Sequence, residues 1–112
     1  MRKQMIENAA HEVATQVRAV EDTIDAAFAE IAELQARIMR ANSIAGVGFA
    51  AAHPTLEQLA TAVTGLVASR GAIVGCHAAL VDAKQKVPGL RTVSIGDNEC
   101  PPSGSADLRI VA

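Results

Sequence analysis

Residues 6–41 read IENAAHEVATQVRAVEDTIDAAFAEIAELQARIMRA, and an apolar residue recurs there every three or four positions. The series runs Ile6, Ala10, Val13, Val17, Val20, Ile24, Ala27, Ile31, Leu34, Ile38 and Ala41, and continues to Ala45. Alternating steps of four and three keep side chains on one stripe of an α-helix. Held in register over successive heptads, they form a coiled-coil seam, with Ala10, Val17, Ile24, Ile31 and Ile38 at a and Val13, Val20, Ala27 and Leu34 at d. The spacing predicts a helix over residues 3–42, about 60 Å long at 1.5 Å per residue.

A second seam follows. Leu59, Leu66, Ile73, Leu80 and Val87 recur every seven residues, and Ala62, Ser69, Cys76 and Ala83 lie three positions after each of the first four. Large residues alternating with small ones let two helix axes approach closely. Pro54 suits a first helical turn, and Pro88-Gly89 suits a stop, so the second helix is expected over residues 54–86. Gly46 and Gly48 permit a chain reversal in the connection, residues 43–53. The reading is all-α: a long antiparallel two-helix hairpin over residues 1–89, coiled-coil-like in its seam. Residues 90–112 change character. LRTVSI and DLRIVA alternate as strands do and flank the turn-rich GDNECPPSGSA, so an extended, partly strand-like tail is expected.

Composition supports helices and narrows function. Of 112 residues, 50% are hydrophobic and 20% charged, which excludes a disordered chain. There are two Phe, no Trp and no Tyr, so stability must come from extended helix contact and not from an aromatic core. The formal net charge of -2 and the lack of a basic face argue against a nucleic-acid partner. The N-terminal MRKQMIENAAHEV lacks the apolar stretch of a signal peptide. Two cysteines, Cys76 and Cys100, make no disulfide framework, and a cytoplasmic setting is expected.

The run from Leu59 to Val81 carries one full charge, Arg70. A transmembrane helix has that length, but a central arginine costs about 2.5–3.5 kcal/mol on insertion scales, which argues against a membrane span. A lone amphipathic hairpin needs a polar outer face, and Thr61, Thr64, Ala68, Ala72, Gly75 and Ala79 supply a poor one. Helix one also carries a second apolar stripe, Phe28, Ala29, Ala32, Ala36 and Met39, which a single partner helix would leave uncovered. Two stripes need two neighbours, so the expectation is self-association into a helical bundle. Gly71 and Gly75 fit close approach of another chain, since each mid-helix glycine costs about 0.5–1 kcal/mol relative to alanine.

Arg70, covered in such a bundle, needs a counter-charge. With the reversal centred near residue 51, facing positions sum to about 102. That places Arg70 between Glu30 and Glu33, His77 opposite Asp25, and Lys84 near Glu21 and Asp22.

Catalytic and ligand-binding signatures are weak. His11, His53, His77, Cys76 and Cys100 show no metal-ligand spacing, and no metal or cofactor is expected. AGVGFA lacks the lysine and hydroxyl residue of a phosphate loop. The acids Glu21, Asp22 and Asp25 read as a helix face, not as a general acid–base pair. The expected role is therefore non-enzymatic: a structural or assembly protein that binds itself, and a further protein subunit through the tail or the loop. Such a design suits a large symmetric assembly such as a virus particle. Two alternatives belong to other classes. One is a membrane-associated module inserting residues 59–81 or the 44–52 loop; the other is a small thiol-dependent protein using Cys76 or Cys100.

Overall fold

The structure, a computed structural model, describes residues 2–90. The described chain is all-helical: α1 spans Arg2–Ala45 and α2 spans Phe49–Lys84. The expected strand-like tail and Cys100 lie outside the described residues.

The connection is three residues long, not the eleven that the sequence suggested. Gly46 adopts φ +69°, a left-handed conformation that costs glycine nothing. Its N–H donates to the Ser43 carbonyl (3.3 Å) and the Val47 N–H donates to Asn42 (2.9 Å). This pair of bonds is the Schellman arrangement, which satisfies carbonyls that the helix end would otherwise leave open. The Gly48 carbonyl then accepts from Ala52 (3.0 Å), opening α2 at once.

The expected start at Pro54 is thus corrected to Phe49, and Pro54 lies inside the helix. Phe49–Ala52 contains three alanines, the best helix formers, which carry the helix ahead of the proline. Pro54 has no N–H to give to Ala50, so the helix forgoes that one bond. At its far end α2 tightens into three-residue turns, with Gln85 donating to Asp82, Lys86 to Ala83 and Val87 to Lys84. Pro88 and the positive φ of Gly89 (94°) complete the stop.

Both helices pass through two compact units. Ala19–Val74 make one; the chain up to Arg18 and from Gly75 onward makes the other. Within the first, α1 and α2 run antiparallel away from the turn. Ile24, Ile31 and Ile38 of α1 are half-buried, as are Leu56, Leu59, Val63, Leu66 and Ile73 of α2. In the second unit the helices are again antiparallel, and Val13 and Val17 share an apolar groove with Leu80, Val81, Val87 and Leu90.

The a positions of α1 therefore lie on its packed face, whereas two d positions, Val13 and Leu34, remain exposed. On α2 the expected small partners are corrected. Ala62, Ser69 and Cys76 are exposed, and Val63, Arg70 and His77, one position later in each heptad, lie on the inner side. A seven-residue row can be completed three or four places on. In that second row Val63 is half-buried and His77 buried, while Arg70 stays exposed and reaches Asp25 of α1 with its guanidinium. Ala83 is likewise exposed beside the buried Lys84.

Candidate functional site: uncovered helix faces

Covering is incomplete throughout. Among the described residues Leu90, at 6% exposure, is the one buried apolar residue, and no side chain is fully buried. Interiors of single domains normally contain several such side chains. Here the inner stripes are half-covered and the outer ones open.

Three uncovered regions can be separated. The first is the α1 stripe in the Ala19–Val74 unit. Ala29, Ala32 and Met39 are exposed, and Phe28 and Ala36 are half-buried on its margins. The second is the outer side of α2, where Val67, Ala68, Gly71, Ala72, Val74 and Gly75 are exposed. A Cβ built on Gly65, Gly71 or Gly75 meets nothing within 4 Å, so packing inside the chain does not demand these glycines. Thr61 and Thr64 on this helix turn their hydroxyls inward, donating to the carbonyls of Glu57 (3.1 Å) and Ala60 (2.9 Å). That back-bonding satisfies the hydroxyls within the helix and makes the face more apolar than its sequence suggests. The third region is the turn, where Ile44 is 89% and Phe49 92% exposed.

The ion pairs differ from the sequence expectation in register. Arg70 Nε donates to Asp25 Oδ1 at 3.3 Å, not to Glu30 or Glu33. Facing positions therefore sum to about 95, one heptad short of the expected 102, because the reversal is centred at residue 47 and not near 51. Glu33 instead accepts from Arg37 (2.9 Å) and lies 3.7 Å from Arg40. The Arg70 and Asp25 side chains are 58% and 63% exposed, so the expected buried pair is exposed within the chain. His77, assigned to Asp25 from the sequence, is buried beside the groove of the other unit, as is Lys84.

The exposed Cys76 is a free thiol. His53 lies 3.5 Å from Glu57. No three His, Cys, Asp or Glu side chains gather as a metal ion would need among the described residues.

Sequence reasoning found the α1 stripe and the glycines. It also marked the apolar loop over residues 44–52, but it missed the groove lined by Leu90, since the last turn was not apparent in the heptads. One helix, α2, is long and apolar enough to cross a membrane by length and composition. Compared with family models, curated proteins and solved structures, the chain matches none. The described residues form two helices whose outer apolar faces are uncovered within the chain, and function has to be argued from those faces.

Proposed function

We propose that this chain is a non-enzymatic structural protein that associates with copies of itself into a helical bundle. The supporting observation is the near absence of a covered core: one buried apolar residue among those described, against an exposed Ala29–Ala32–Met39 stripe on α1 and exposed Val67, Ala68, Gly71, Ala72 and Val74 on α2. Contiguous apolar surface of this kind marks an association site in a soluble protein. Back-bonded threonines and unhindered glycines suit close contact between helices.

Light scattering on the full chain tests the reading. The native mass is expected to be a small integer multiple of 11.6 kDa. Ala32→Glu, which places a charge on the stripe, is expected to shift that mass toward the monomer. A monomeric wild type, or an Ala32→Glu protein of unchanged mass, would count against it.

The hydropathy of α2 favours one second reading, a membrane-associated helical module. Sedimentation with lipid vesicles, in place of a defined oligomer in buffer, would select it.

A further inference from the structure

The geometry points to the direction and register of one contact: the α1 stripe of Ala29, Ala32, Ala36 and Met39 receives the same stripe of a second copy, antiparallel, about a two-fold axis near residue 34. This rests on the self-association proposed above and deepens it.

At 100° per residue the four side chains fall within about 80° of arc. Two alanines at the centre allow the axes to come close, and Met39 and Phe28 supply volume on either side. The order of charges beside the stripe selects the partner and its direction. Glu30 and Glu33 precede residue 34, and Arg37 and Arg40 follow it. All four lie on one flank of the stripe, and in a parallel copy the two like flanks fall on opposite sides of the contact, where these charges do not meet. An antiparallel copy brings position i opposite position 68 − i. Ala32 then meets Ala36, Ala29 meets Met39, Arg37 lies within one turn of the other copy's Glu30 and Glu33, and Arg40 within one turn of its Glu30.

The intrachain pairing leaves room for this exchange. Glu33 attracts both arginines, at 2.9 and 3.7 Å, whereas Glu30 is exposed and in no ion pair among the described residues. The second copy supplies the missing cation at each end. A contact in which residue i meets j and j meets i is the isologous kind that closes a dimer.

Disulfide trapping decides it, using the full chain with Cys76 and Cys100 replaced by serine. Ala29→Cys and Met39→Cys are made as separate proteins and oxidised alone and mixed. Met39 and its own copy would lie ten residues apart along the axis, about 15 Å, beyond disulfide reach. The mixture is therefore expected to give at least tenfold more covalent dimer than either protein alone. Cross-linking of each variant with itself would overturn the antiparallel arrangement. So would the absence of cross-links in a preparation whose mass is oligomeric, since another face would then make the contact. A monomeric mass without cross-links would remove self-association as well. As a second measurement, Arg37→Glu with Arg40→Glu is expected to raise the dissociation constant at least tenfold at low salt, and an unchanged constant would count against the charge argument.

Discussion

At the scale of single residues, the Arg70–Asp25 pair shows how far exposure decides energy. Its 3.3 Å contact joins positions 45 apart in sequence. With both side chains more than half exposed, the Coulomb gain is offset by hydration and lost side-chain freedom, leaving about 0.2–1 kcal/mol. A double-mutant cycle on Arg70→Ala and Asp25→Ala, read by urea unfolding, is expected to give a coupling in that range that weakens as salt is raised. A salt-insensitive coupling above about 3 kcal/mol would mean that a neighbour seals the pair from water. Gly46 and Gly48 make a second comparison. Gly46→Ala forces a Cβ into a left-handed backbone and should cost about 1–2 kcal/mol. Gly48 is not left-handed and an added Cβ meets nothing, so Gly48→Ala is unstrained and is expected to cost less than Gly46→Ala, about 0.5 kcal/mol for the poorer N-cap.

At the scale of elements, Pro54 is the test case. The helix around it is set by the alanines before it and the Leu56–Leu59 seam after it, and the proline removes one bond. Pro54→Ala should restore the bond from residue 54 to the Ala50 carbonyl and raise the unfolding midpoint, with an increase in helical circular dichroism. A lower midpoint would show that the ring packs against something the helix needs. Both helices were legible because heptads are local: five a positions in α1 declare their own face. Their ends and mutual alignment were less so. Pro54 looked like a beginning only because the reversal at Gly46 had not been recognised as a complete stop, and every facing partner moved with it. The α2 seam was ambiguous for another reason. Rows at 59, 66 and 73 accept companions on either side, and only packing chose Val63 over Ala62. The α1 stripe was readable at once, since it stands where the first seam does not.

At the scale of the whole molecule, the question is whether one chain suffices. If copies finish the core, folding and association are one equilibrium, and stability depends on protein concentration. Thermal midpoints by circular dichroism are expected to rise steadily over a hundredfold increase in concentration. A midpoint independent of concentration, in a monomer of full helicity, would remove the basis for the bundle.

The tight reversal at Gly46 has a mechanical consequence. Rows of teeth with equal pitch engage at any offset of a whole tooth, so side chains along the helices leave several alignments open. Moving the bend by half a heptad slides one helix past the other by seven residues, about 10 Å, and the rows mesh again. A single glycine, by its place in the chain, thus acts as the indexing pin that selects which teeth meet.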